Sequence, residues 1–207
     1  MPRIAYYLRR VKESLGQEGI RPTARKVVRE VFDRVYPPWQ CLFWMPLSSH
    51  ASAPPADGIS LRVISEFSGD TEFAVSEERL GGSVMSVYQM RLQRGCQLCV
   101  LFTGRTVAGT LFFVLGRAHR FQHVVLTDED AVILDARINP EFRGQGLYPI
   151  FLNLSLATLS SKAVERVFVA TSEHNEPSLR ALRRVGFRYL MRYRTWMGRY
   201  TYDVDPL

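Results

Sequence analysis

Residues 138–152 read INPEFRGQGLYPIFL, with Gly144 and Gly146 behind Arg143 and an apolar run opening straight after them at Leu147. The stretch before it, AVILDARI at residues 131–138, has the β-rich composition of a strand. The stretch after it, from Leu147 to about Ser161, predicts a helix. Pro149 falls in the first turn of that helix, where its missing N–H costs nothing and its fixed φ favours a helix start. A strand, a glycine-bearing loop and a helix in that order form an anion site. N–H groups at a helix start lack intrahelical acceptors, and the macrodipole adds partial positive charge there. Glycines let the backbone approach a phosphate closely and adopt φ > 0, so pyrophosphate is the natural occupant. The stretch is not a P-loop, since no Lys-Ser/Thr pair follows Gly146. Nor is it a dinucleotide fingerprint, because Pro149 stands where the third glycine is needed.

Working outward, ISLRVISEF (59–67) alternates like a strand, and CQLCVLFTG (96–104) with RTVAGTLFFVLG (105–116) predicts an antiparallel hairpin. Residues 70–95 show helical spacing interrupted by Gly81 and Gly82. ERVFVATS (165–172) predicts a strand, EPSLRALRRV (176–185) a helix, and residues 187–204 a terminal strand pair. Upstream, Ile4, Leu8, Val11 and Leu15 recur at helical spacing, and Val27, Val28, Val31, Phe32 and Val35 form a second apolar stripe behind Thr23 as N-cap. PPWQCLFWMPL (37–47) is uncharged and aromatic, and SSHASAPPADG (48–58) reads as a linker. The expected organisation is a basic helical extension and linker over residues 1–56 and one α/β domain over 57–207, its sheet an α+β mixed one.

Composition narrows the function classes. At 207 residues with 46% hydrophobic content, the chain folds around a core rather than remaining disordered. Cys41, Cys96 and Cys99 are too few for a disulfide framework, and no apolar h-region of a signal peptide opens the chain, so a cytoplasmic setting is expected. Cys96 and Cys99 form a CxxC inside a strand, where residues three apart face opposite ways, which suits neither zinc nor a redox pair. Residues 1–36 hold nine Lys/Arg against four Asp/Glu and so carry five of the seven net positive charges. With Trp39, Phe43, Trp44 and Met45 behind it, residues 1–45 suit peripheral contact with the anionic inner face of a membrane; the bland alternative is packing on the domain or a homodimer contact. No nucleic-acid-binding motif accompanies the charge, and no run of about 18 apolar residues is present to span a membrane.

Residues 173–187, EHNEPSLRALRRVGF, supply a second constellation, with Asn175 at a strand end, Ser178 at the helix start and Gly186-Phe187 at the helix exit. Together with RINPEFRGQGLY (137–148) this resembles the GNAT superfamily of acyl-CoA-dependent N-acyltransferases, whose loop-helix motif is R/Q-x-x-G-x-G/A and whose later helix is followed by Gly-Phe. The resemblance implies a GNAT-like fold and acetyl-CoA or another acyl-CoA as co-substrate, with no metal, bound where two adjacent parallel strands splay apart. The backbone of Arg143, Gly144, Gln145, Gly146, Leu147 and Tyr148 would hold the pyrophosphate. Main-chain groups near Ala136 and Ile138 would pair with the pantetheine arm, the Ile138 N–H would polarise the thioester carbonyl, and Asn175 and Ser178 would line the arm's other side. Asp135, at a position that often carries an acid in similar proteins, is the first candidate base for an attacking amine, ahead of Glu173 and His174. Acceptor contacts are expected from residues 68–130. The implied activity is N-acyl transfer to a small-molecule primary amine, an amino sugar being one class. Long-chain transfer from acyl-CoA or an acyl-carrier protein, and an inactive acyl-CoA-binding module, are the alternatives. Two departures stand out. Leu182 occupies the place of the tyrosine that protonates the leaving thiolate in many members, and Tyr148 replaces a small residue, its ring expected to point away from the phosphate.

Overall fold

A computed structural model of the chain describes residues 37–49, 57–66, 82–116, 124–196 and 199–203. The two helices expected before residue 37 lie outside the described residues. The apolar β-rich runs form strands β1 (Gln40–Pro46), β2 (Ile59–Ile64), β3 (Gln97–Thr103), β4 (Thr106–Leu115), β5 (Asp130–Ile138) and β6 (Arg166–Ser172). The terminal pair is β7 (Arg188–Trp196) and β8 (Arg199–Asp203). Three helices accompany them among the described residues: α1 (Gly82–Gln93), α2 (Leu147–Ser160) and α3 (Glu176–Val185).

The strands make one sheet in the order β2-β3-β4-β5-β6-β1-β7-β8. β3 and β4 form the expected hairpin, from Gln97↔Phe113 to Thr103↔Thr106. Among the described pairs only β5 and β6 run parallel. A parallel pair needs a crossover, and α2 supplies it.

The place of β1 corrects the boundary expected near residue 57. Gln40–Pro46 does not belong to an extension outside the domain but is an interior strand, antiparallel both to β6 (Phe43↔Val169) and to β7 (Phe43↔Tyr189). The reason is in the composition of the run. Cys41, Phe43 and Met45 are buried with the core on the α2–α3 side of the sheet, and Leu42 with the cluster on the other side. A strand that is apolar on both faces belongs where both faces are covered.

Phe151, Leu152, Leu156 and Leu159 of α2 are fully buried on one face of the sheet together with Leu179 and Leu182 of α3. Each such side chain contributes about 1.5–3 kcal/mol of transfer free energy. On the opposite face α1 seats Tyr88 and Leu92. The Tyr88 hydroxyl shares a 2.9 Å hydrogen bond with Thr110 Oγ1, and its ring meets Phe112 edge-on at 4.8 Å.

The parallel pair is clamped at its base. Asp130, with 0% exposure, accepts from Arg166 Nε (2.7 Å) and Nη2 (2.8 Å) and from the Thr127 N–H (2.6 Å). The clamp joins the first residues of β5 and β6, whose register runs from Asp130↔Arg166 to Ile133↔Val169.

Cys96 and Cys99 fall in the clusters on opposite faces of the sheet, as strand geometry requires. Burial pushes the Cys99 thiol up to about 12, against a smaller opposing contribution from the Ser155 hydroxyl. Thiolate is the reactive form. In the native chain Cys99 is therefore expected to resist an aromatic disulfide reagent at pH 8, and to react at the rate of a free thiol once guanidinium unfolds the protein. Rapid native labelling of Cys99, read by peptide mass spectrometry, would contradict its placement.

Candidate acyl-CoA cleft

β5 and β6 part company after Ile133 and Val169. Beyond that point β5 stays with β4 as far as Gly109↔Ile138, and β6 stays with β1 as far as Gln40↔Ser172. A gap therefore opens between two adjacent parallel strands, as expected. A bulge helps to open it: the β4–β5 register shifts between Thr110 and Phe112, and Asp135 takes φ 47°. Bulges bend the strand that carries them and re-aim its side chains.

The glycine loop closes the upper end of this gap. Asn139 anchors the loop to β4, its N–H donating to the Ala108 carbonyl (2.9 Å) and its Nδ2 to the Val107 carbonyl (2.7 Å). A short 3-10 turn, Pro140–Phe142, follows. Gly144 (φ 79°) and Gly146 (φ 72°) are left-handed, and a Cβ added to either would meet nothing within 4 Å. Their freedom thus serves backbone direction rather than room for a neighbour. Gly146 is the N-cap of α2, so the first N–H groups of the helix face the loop without intrahelical acceptors. Two side chains brace the loop: Arg143 Nε donates to the Ile138 carbonyl (3.1 Å), and Gln145 Nε2 to the Glu141 carbonyl (3.1 Å). The Arg143 N–H is already engaged with the Pro140 carbonyl at 3.2 Å. Of the backbone donors expected for the pyrophosphate, that of Arg143 is thus already engaged within the loop.

The cleft behind the loop has a volume of about 920 Å³. Of the ten residues expected to hold the co-substrate, nine line it and only Gln145 does not. Arg137, Arg180 and Arg184, which sequence reasoning missed, join Arg143 in the lining, and no Asp or Glu is among the lining residues. Arg180 and Arg184 are one turn apart on α3, and that spacing in RALRR was the available signal. Four guanidinium groups, a helix start and a left-handed glycine loop make a site for phosphate groups joined to a longer, partly apolar arm. Acyl-CoA fits these residues.

α3 forms the far wall. Its N-cap Asn175 donates through Nδ2 to Thr171 Oγ1 (3.2 Å). Tyr148 lines the cleft, and its hydroxyl lies 3.4 Å from Ser178 Oγ on the facing helix. Burial raises the Tyr148 hydroxyl pKa above its usual value, outweighing the lowering from Ser178, so the group stays protonated and able to donate. Leu182 is fully buried in the core below.

None of the three candidate bases lines the cleft. Asp135 is paired with Arg91 of α1. Glu173 lies 3.8 Å from His174 Nε2 and 3.8 Å from Arg192 Nη1. Glu173 and His174 directly follow β6, whereas Asp135 lies in the bulge of β5.

Gly109 sets the floor. A Cβ there would stand 2.6 Å from the Arg137 carbonyl oxygen and 2.8 Å from Ile138 Cδ1. Gly109→Ala is therefore expected to push the cleft-facing end of β5 outward. Over-packing of this kind costs about 2 kcal/mol, a fall in melting temperature of about 6 °C. Calorimetry should show a loss of acyl-CoA affinity alongside it; unchanged affinity would mean that this end of β5 does not touch the ligand.

Residues 65–187 match the model of the Acetyltransferase (GNAT) family. A comparison with curated proteins finds no match. Among solved structures, the chain is similar to a tandem GNAT protein from the clavulanic acid biosynthesis pathway (TM-score 0.53, 19% identity, 75% of this chain and 51% of that one). It is also similar to a GCN5-related glucosamine N-acetyltransferase region of a fungal multi-domain GH3 β-N-acetylglucosaminidase (0.56, 14%, 83% and 22%), and to a GNAT-family acetyltransferase from Colwellia psychrerythraea (0.55, 13%, 75% and 54%). At these identities the likeness is one of fold, and the chain spans about half the length, or less, of these proteins. The family match extends over more than half of the chain and includes both the glycine loop and α3; the chain belongs to the GNAT acetyltransferase family.

Proposed function

We propose that the chain transfers an acetyl or other acyl group from CoA to the primary amine of a small molecule. One observation carries the reading: the arginine-rich cleft sits behind the left-handed glycine loop, at the point where β5 and β6 diverge. The loop and the start of α2 would hold the pyrophosphate, the cleft-facing edge of β5 the pantetheine arm, and Tyr148 with Ser178 the opposite wall. In the reaction the amine nitrogen forms a bond to the acyl carbon as the C–S bond breaks. An ammonium and a thioester become an amide, a free thiol and one proton. Asp135, next in sequence to cleft-lining Ala136, is the carboxylate proposed to take the amine's proton.

Calorimetry with acetyl-CoA and with a long-chain acyl-CoA tests the binding half of the reading; no heat from either at millimolar ligand would end it. A thiol-release assay across an amine panel tests the chemistry. A second reading, binding without turnover, is favoured by the burial of Leu182 at the family's tyrosine position. Steady thiol release with any amine excludes it. The proposed setting is the cytoplasm, with membrane contact now proposed for residues 1–36 alone, because Phe43 and Met45 are buried inside the sheet; among the described residues no helix is long and apolar enough to cross a membrane.

A further inference from the structure

Asp135 and Ala136 are the residues that bulge from β5 where the β4–β5 register shifts. Ala136 lines the acyl-CoA cleft, whereas Asp135 turns to the face covered by α1 and meets Arg91. Arg91 is held in place from below, its guanidinium 5.1 Å from the centroid of the Phe112 ring. Both partners nonetheless reach solvent, the side chains being 59% (Asp135) and 24% (Arg91) exposed. The β5–β6 ladder has already ended at Ile133, so the gap between the strands is open at the level of this pair.

Stability does not account for the arrangement. A non-glycine residue in the left-handed region costs on the order of 1–3 kcal/mol, and an exposed ion pair returns about 0–1 kcal/mol. The strain holds one carboxylate and one guanidinium, already in contact, one residue away from the acyl-CoA cleft.

We propose that Arg91 and Asp135 together recognise the acceptor, and that the acceptor is an amino-carboxylate, a molecule bearing a primary amine and a carboxylate a few bonds apart, as an amino acid does. The inference rests on the acyl-transfer reading above. The acceptor's ammonium takes the place of the guanidinium beside Asp135, and its carboxylate takes the freed fork of Arg91, so that both charges exchange partners and neither is left alone. An amine without a carboxylate separates the pair and gives Arg91 nothing in return, a penalty that selects against it. The ammonium then stands beside the carboxylate that accepts its proton, next to the residue whose backbone borders the cleft.

The test uses the full chain, acetyl-CoA, and three acceptor sets in a thiol-release assay: L-amino acids, the matching amino acid amides, and glucosamine. At least one amino acid should exceed both its amide and glucosamine in kcat/KM by about tenfold or more, the worth of one charge-assisted contact. Arg91→Gln should collapse that acid-over-amide preference to within about twofold by raising KM for the acid, and Arg91→Lys should restore part of it. A wild-type enzyme that treats acid and amide alike, or that prefers glucosamine, overturns the inference, as does a preference that survives Arg91→Gln. If Arg91→Gln melts below the assay temperature, the wild-type panel alone decides. Calorimetry with acetyl-CoA separates the two levels of failure: binding without acid preference sinks this inference only, and no binding sinks the acyl-transfer reading with it.

Discussion

A Gly146→Val chain should bind acetyl-CoA about a thousandfold more weakly than the wild type, while its melting temperature falls by only a few degrees. Space is not the obstacle, because a Cβ at this position would meet nothing within 4 Å. The obstacle is φ, 72° at the N-cap of α2. A β-branched residue in the left-handed region is a genuine outlier, and relieving it swings the peptide planes on either side of residue 146. Those planes carry the N–H groups proposed to hold the phosphates. Losing two charge-assisted hydrogen bonds costs about 4 kcal/mol, or roughly three decades of affinity. Gly146→Ala, strained but unbranched, should lose less, and the ordering of the two variants in calorimetry is itself diagnostic. If Val binds within a few fold of Gly, the loop does not cradle the ligand.

The second large effect is one of stability. Asp130→Asn should lower unfolding free energy at pH 7 by about 3 kcal/mol, because removing one member of a buried pair strands the other, and the melting temperature should drop by about 9 °C. The pH dependence separates this from a general packing defect. Burial by itself would raise the Asp130 pKa, but the Arg166 hydrogen bond, the Thr127 N–H and the guanidinium charge together hold it below its ordinary 3.8. The folded carboxyl therefore binds its proton less tightly than the unfolded one. Its stabilisation is fully present above pH 4 or so and fades as the pH falls through the depressed folded value. Urea melts of both chains between pH 7 and pH 2.5 should show the wild type converging on Asp130→Asn in acid. A constant gap across that range would mean that the clamp is not ionic.

Much of the cleft was legible in the sequence because its design is local. INPEFRGQGLYPIFL states its own strand end, loop and helix start within fifteen residues, and EHNEPSLRALRRVGF does the same for the far wall. Features made by distant partners were not. Asp130 and Arg166 meet across a 36-residue separation and only through the parallel register. The pairing of Asp135 with Arg91 depends on a bulge, and a register shift leaves no trace in residue type. The contact of the Tyr148 hydroxyl with Ser178 was not legible either, because its partner lies on another helix. The largest misreading left QCLFWMP outside the domain, in the extension that ends at residue 56, because the serine- and proline-rich run after it reads as a boundary. Apolar content on both sides of the strand was the better guide.

That strand has a consequence for how the protein is made. β1 leaves the ribosome well ahead of its partners β6 and β7, Phe43 pairing with Val169 and Tyr189. At ordinary elongation rates the wait is on the order of ten seconds. Throughout it, an uncharged, largely apolar strand with both edges open has nothing of its own sheet to join. The nascent chain thus carries a sticky segment until β6 and β7 have been made, and the sheet then closes around β1 from both sides. Yield in the cell should accordingly respond to chaperone supply and to translation speed more than the melting temperature of the finished protein would suggest.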